Sequence, residues 1–311
     1  MSDLAHRLAR LSAAQRRLLE RLTAEGDPGA AGAAAALEPE RLLTDDLMHE
    51  LGDGVPAKAV IRRFYDTVNG QLDAGVAREY AHFLNYGYAA DGRSECAVHT
   101  LPRNALNRNC VQLVLELVGE CELAGLRVLD VGCGRGGTIA VLQRFCAPRE
   151  LVGLDLSPAA IAFCRRAHTF EEARFLCGDA EALPFADGAF NAVVNVESSH
   201  SYPDVGAFYA EVHRVLAADG VFLYTDTMPT TGVAARLEQL AAVGFRVEVA
   251  RNITANVVRS CDELADVHGH AFAADNAPHV LGEFLGVPGS RNYEALRSGR
   301  SQYGIWRLRR V

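Results

Sequence analysis

Apolar and polar positions in the second half of the chain follow two alternating rhythms. Short apolar runs occur at 127–131, 151–155, 174–177, 192–196 and 221–226. Most are followed by stretches whose apolar residues recur at helical spacing, over 137–145, 158–168, 204–216 and 232–242, whereas 174–177 leads into a loop. Runs without strict alternation suit strands buried on both faces. Strands separated by helical spans pair in parallel, through right-handed crossovers. The pattern therefore predicts an α/β fold around a parallel sheet, with closing strands at 245–250 and 302–310 and helices between those two.

Upstream the pattern is helical. Leu4, Leu8, Leu11, Leu18 and Leu22 form one stripe over 3–23, and Arg7, Arg10, Arg16, Arg17 and Arg21 form a basic face. This stripe is under three heptads long, too short to stand alone in water. It packs on its own domain or serves as a docking or dimerisation arm, and both readings stay open. Residues 26–39 are rich in Ala, Gly and Pro and read as a flexible tether. Further helices are predicted over 56–69 and 104–120, the second capped by Asn104. The expected organisation is a helix and tether over 1–55, a helical lid over 56–122 and a core over 123–311, with a substrate-pocket insertion at about 251–300.

Chemistry enters where the apolar runs end. The run at 128–131 contains Asp130 and then breaks into Gly132, Cys133, Gly134, Arg135, Gly136 and Gly137; Asp155 and Asp179 follow at intervals of 25 and 24 residues. A pyrophosphate site needs a G-x-G-x-x-G loop at a helix N-terminus. Here an acid stands two residues before the first glycine, which repels a phosphate but suits an ammonium. This segment resembles motif I of the class I S-adenosylmethionine-dependent methyltransferases. The resemblance implies their Rossmann-like, seven-stranded, mostly parallel sheet with an antiparallel last strand, and S-adenosylmethionine as cofactor. Asp130 would then anchor the methionine amino group, directly or through backbone and water. Asp155 would accept the ribose hydroxyls, with Leu156 facing the adenine. Asp179 would accept from the adenine amino group while Ala180 offers its N–H. Gly132, Cys133, Gly134 and Gly136 complete the expected cofactor loop, with Asn195 and Tyr86 beside it. A plainer role for Asp155 and Asp179 is to brace loops or cap helices.

The acceptor side is expected just after the fourth strand, at Glu197, Ser198, Ser199, His200, Ser201 and Tyr202. An imidazole there suits proton removal near neutrality. If the segment turns helically, Glu197 shares a face with His200 and raises its basicity. The segment also resembles O-methyltransferase domains of polyketide synthases and stand-alone methyltransferases of bacterial natural-product pathways, including the phthiotriolone type. That resemblance extends over about 60–311 and includes Leu84 to Tyr88, Leu106 to Asn109 and Phe284 to Ser290. It implies a catalytic His200–Glu197 pair acting on a hydroxyl of a polyketide-like or related metabolite, free or tethered to a carrier protein. Tyr65, Tyr88, Ser199, Tyr202 and Tyr293 are the expected acceptor-pocket residues. Two other readings remain: methylation of an electron-rich carbon, such as a prenyl chain or an indole, and a non-catalytic docking partner.

Bulk composition narrows the partners. A formal charge of −8 argues against nucleic-acid binding, which needs clustered Lys and Arg. No apolar run is long enough to cross a bilayer, and no signal-peptide core stands at the N-terminus. Eight widely spaced cysteines, with no CxxC pair, fit reduced thiols in a cytoplasmic protein. His268, His270 and His279 lack acidic or cysteine partners at ligand spacing, so no metal is expected.

Overall fold

The computed structural model describes residues 58–74, 81–91, 101, 107–273 and 285–311, with backbone alone at 266–273. The expected helix over 3–23, the tether over 26–39 and the side chains of His268, His270 and His279 lie outside the described residues.

Among the described residues two helices precede the sheet, α1 (Lys58–Ala74) and α2 (Arg108–Val118). The core then runs β1 (Arg127–Val131), α3 (Gly137–Cys146), β2 (Glu150–Asp155), α4 (Pro158–Ala167), β3 (Ala173–Cys177), β4 (Phe190–Val196), α5 (Val205–Val215), β5 (Leu216–Pro229), α6 (Val233–Val243), β6 (Phe245–Asn252), α7 (Thr254–Ala273), α8 (Arg291–Arg297) and β7 (Ser301–Arg310). One seven-stranded sheet results, in the order β3-β2-β1-β4-β5-β7-β6. The first five strands pair in parallel, and β7 inserts antiparallel to both β5 and β6. The strand order reverses between β1 and β4, which opens a crevice at their C-terminal ends, where open α/β sheets bind ligands.

Alternation along the strands feeds two cores. Val128, Val194, Leu223 and Ile305 face the side covered by Leu113 and Leu117 of α2, Ile139 of α3, Val257 of α7 and Leu296 of α8. Their neighbours Leu129, Val193, Phe222 and Trp306 face Phe208 and Val212 of α5 and Leu240 of α6. Burial on both faces explains why β1 and β4 read as mostly apolar runs without alternation. On the edge strand β6, buried or half-buried residues alternate with exposed ones.

Three boundaries differ from the sequence expectation. Helix α1 extends to Ala74. Helix α2 is preceded by Asn107, not Asn104, and Asn107 takes a left-handed φ of 54° without a side-chain cap. Strand β5 begins at Leu216, directly after α5, because Leu216 pairs with Phe190 and an irregularity between Phe190 and Ala192 absorbs the extra residues. Among the described residues no helix is long and apolar enough to cross a membrane, no group of potential ligands is arranged for a metal, and no disulfide joins the cysteines.

Candidate active site

The turn after β1 is built on glycine. Gly132 has a φ of 72°, and a Cβ there would stand 2.7 Å from the Tyr202 hydroxyl. Gly136 has a φ of 76° and lies against the His168 ring, where a Cβ would meet Nε2 at 2.6 Å. Side chains are therefore excluded at both positions. The turn opens onto a cleft of about 960 Å³, counted to its open mouth. Gly132, Cys133 and Gly134 form its floor, Asp155 and Leu156 come from the end of β2, and Asp179 and Ala180 from the turn after β3. Glu197, Ser198, Ser201 and Tyr202 extend the wall beyond β4, and α1 with residues 82–85 forms the roof.

Helix α1 is tied to the loop after each of the first four strands. Lys58 pairs with Asp179 and with Glu181, both at 2.6 Å. Tyr65 shares a 3.0 Å hydrogen bond with Ser201, and Ser157 donates to Asp66 at 2.5 Å. Arg135, only 1% exposed, donates to Asn69 at 3.2 Å, to Asp73 at 2.8 Å and to the Ala81 carbonyl, with its guanidinium 3.5 Å from the Phe163 ring centre. Lys58 and Arg135 were not singled out by sequence reasoning. Their partners lie far away along the chain, and no local spacing announces them.

The three strand-terminal acids occupy different surroundings. Asp155 Oδ2 accepts from Gly134 N at 2.8 Å and Oδ1 from Ser157 N at 2.9 Å, so this acid braces the glycine turn while lining the cleft. Burial pushes its pKa up, against the pull of those N–H groups. Asp179 Oδ1 accepts from Glu181 N at 2.9 Å. Asp130 departs from expectation. It is 1% exposed, is not on the cleft wall, and neither carboxylate oxygen has a partner. Burial pushes its pKa up to about 8, with the charge of Asp155 adding to the shift. Asn195 is likewise behind the wall and fully buried. It donates to the Val131 carbonyl at 2.8 Å and to Ser198 Oγ at 2.7 Å, which fixes the floor from beneath.

The segment after β4 also departs from the helical turn expected for it. Glu197 takes a left-handed φ of 51°, and a 3₁₀ turn follows at Ser199–Ser201. Glu197 and His200 therefore make no hydrogen bond. Glu197 Oε2 instead accepts from Tyr86 N at 3.0 Å and from the Tyr303 hydroxyl at 2.8 Å. His200 pairs through Nδ1 with Asp226 at 2.7 Å, an acid near the end of β5 that sequence reasoning missed. Asp226 is 1% exposed and also accepts from His200 N at 2.9 Å and Ser199 Oγ at 2.5 Å. Burial pulls the imidazole pKa down, but the charge and hydrogen bond of Asp226 carry it above the usual value. With Nδ1 bound to a carboxylate, Nε2 keeps its lone pair and has no partner among the described residues. The His200 side chain is 36% exposed and is not among the residues that line the cleft, although its chain neighbour Ser201 is.

Comparison with known proteins decides the family. The methyltransferase domain family matches residues 129–224. A fatty-acid O-methyltransferase of Mycolicibacterium smegmatis is 38% identical over 226 residues, 72% of this chain and 81% of that protein. A phthiotriol/phenolphthiotriol dimycocerosates methyltransferase of Mycobacterium tuberculosis is 33% identical over 270 residues, 85% and 96% of the two chains. The chain belongs to the class I S-adenosylmethionine-dependent methyltransferases. Its fold agrees with that of the cyclopropane synthase MmaA2 from Mycobacterium tuberculosis, with a TM-score of 0.62 at 17% identity over 83% of this chain and all of that one.

The methyltransferase cleft fits its cofactor. Acids at two strand ends face one space, apolar Leu156 and Ala180 stand between them, and the orphaned oxygens of Asp130 are what an ammonium, or a water bound to one, would satisfy. Five of the expected residues sit elsewhere. Tyr88 is 1% exposed, and its hydroxyl is drawn to Arg251 rather than the cleft. Tyr293 donates to Asp262 at 2.7 Å, and Ser199 is buried against Asp226 and Tyr224. The Tyr86 backbone reaches Glu197, but its ring lies against Gly286 and Tyr303. Gly136 faces His168.

Proposed function

We propose that this methyltransferase alkylates a hydroxyl oxygen of a lipid-like or polyketide-like small molecule, with His200 as general base oriented by Asp226. The supporting observation is the 2.7 Å His200–Asp226 pair, which leaves Nε2 without a partner among the described residues, one residue before Ser201 on the cleft wall. The curated relatives act on a fatty acid and on phthiotriol lipids, as their names state. A carboxylate acceptor is already nucleophilic and needs no base, whereas an alcohol does. Bound S-adenosylmethionine supplies the electrophilic methyl group. Asp155 would hold the ribose and Asp179 the adenine edge, while α1 excludes water from the space between donor and acceptor.

The test uses labelled cofactor with hexadecan-1-ol and palmitate as probes. His200→Ala should lower alcohol turnover by about 10²-fold or more and leave cofactor affinity by calorimetry unchanged. An equal loss of cofactor affinity makes His200 structural and overturns the assignment. One observation favours a second reading, methylation of an electron-rich carbon: the Glu197 carboxyl stands on the cleft wall, where an ionised form would stabilise a developing carbocation.

A further inference from the structure

Glu197 is the group on the cleft wall that the base assignment leaves without a task. Its backbone is held in the left-handed region, which a glutamate adopts only under constraint. Both hydrogen bonds it receives, from Tyr86 N–H and from the Tyr303 hydroxyl, converge on Oε2. Oε2 is thereby committed as an acceptor, and a proton on this carboxyl belongs on Oε1. Oε1 has no partner among the described residues and is not one of the buried unsatisfied atoms, so it is open to the cleft that Glu197 lines.

Resting on the hydroxyl reading above, we propose that Glu197 selects the acceptor by donating a hydrogen bond from Oε1 to a second oxygen close to the reacting hydroxyl. Such an acceptor is a 1,3-diol or a β-hydroxy carbonyl compound rather than a simple alcohol. Since no hydrogen bond joins His200 to Glu197, neither group occupies the other, and each is left for an oxygen of the acceptor.

The surroundings of Glu197 keep the proton in place. It is faced by Tyr65 of α1, Tyr86, Cys110 of α2, Cys261 of α7, Tyr303 of β7, Asp226 of β5 and His200. Among the described residues none of these is a lysine or arginine. Burial pushes the carboxyl up to about 8, although the Tyr86 and Tyr303 donors and His200 draw it down. The acid is therefore protonated at neutrality and ionises on the alkaline side.

The experiment compares 1-hydroxyhexadecan-3-one, a β-hydroxy ketone whose second oxygen can only accept, with hexadecan-1-ol, and with palmitate as a carboxylate control, on the full chain and on Glu197→Gln, Glu197→Ala and His200→Ala. The wild type should favour the hydroxy ketone about tenfold in kcat/KM, the worth of one good hydrogen bond, and lose that preference as pH rises through about 8. Glu197→Gln retains a donor that cannot ionise, so it should keep most of the preference and lose its alkaline decline. Glu197→Ala should abolish the preference while binding cofactor like the wild type. His200→Ala should slow both alcohols alike. A wild type indifferent to the second oxygen, or a Gln variant as impaired as Ala at pH 7, overturns the inference and leaves the base assignment standing. Methylation of palmitate with neither alcohol accepted overturns both.

Discussion

Replacing Asp226 by Asn removes one charge and almost no volume, which isolates what the carboxylate does for His200. Oδ2 accepts from Ser199 Oγ and His200 N, and Oδ1 accepts from His200 Nδ1 and Thr227 N at 2.7 Å each. An amide satisfies one of these pairs. If its oxygen faces Ser199, its NH₂ group faces the ring, and Nδ1 must turn acceptor. The proton then moves to Nε2, and the lone pair needed for catalysis is lost. Turnover on an alcohol should fall by about 10²- to 10⁴-fold, the range of general-base catalysis. Stability should drop by about 1–3 kcal/mol for the buried donors left without acceptors. The His200 pKa is raised in the folded protein, so its pairing stabilises the fold below the usual imidazole value of 6.5 and is lost as pH rises through the raised one. The melting difference between wild type and variant should therefore be larger at pH 5.5 than well above neutrality. Stopped assays across pH should show the acid limb of the rate profile moving to lower pH while the plateau falls. A variant retaining more than a tenth of wild-type turnover, with that limb unmoved, would refute the base assignment.

Other perturbations test the cofactor side. Asp155→Ala removes the acceptor for Gly134 and Ser157 as well as the proposed ribose contact; calorimetry should find cofactor affinity about 10²-fold weaker, and an unchanged affinity would move the ribose elsewhere. Asp130, pushed up to about 8 by burial, is protonated at pH 7, and a nearby ammonium favours its ionised form. Cofactor binding should then release protons, seen as unequal heats in phosphate and Tris; equal heats, or a difference that survives in Asp130→Asn, would remove Asp130 from the site. Because its folded pKa is raised, Asp130 lowers stability as pH climbs from about 4 to 8, so Asp130→Asn should raise the neutral-pH melting temperature of the cofactor-free protein. Arg135→Met removes the guanidinium that stands over Phe163 and with it the ties to Asn69 and Asp73. Hydrogen exchange over 58–74 should speed up about tenfold, for bonds worth roughly 1–2 kcal/mol net; unaltered exchange would mean that Arg135 does not hold α1.

The strands were legible because parallel pairing buries both faces, and a run such as Leu151 to Leu154 has no other use. What escaped the reading depended on pairing at a distance. The antiparallel insertion of β7 between β5 and β6 leaves no trace in periodicity; only the family resemblance anticipated an antiparallel last strand. Strand β5 looked short because the apolar run starts at Val221, whereas the strand begins at Leu216, which pairs with Phe190 across a register irregularity. Asp226 was missed although it obeys the rule that singled out Asp155: it is an acid near the end of an apolar run. The His200–Glu197 pairing assumed a helical turn, and the left-handed backbone at Glu197 breaks that geometry. Tyr88 and Tyr293 were placed by their aromatic character, which does not tell a packed ring from an exposed one.

The reversal of strand order divides labour as well as space. Asp130, Asp155 and Asp179 belong to β1, β2 and the turn beyond β3, whereas His200, Asp226 and Tyr303 belong to β4, β5 and β7 and the turns that leave them. In the proposed reading the nucleoside handhold and the acceptor chamber thus draw on opposite wings of one sheet. Substitutions on β5 and β7 would then alter acceptor choice without touching the wing that would grip the methyl donor.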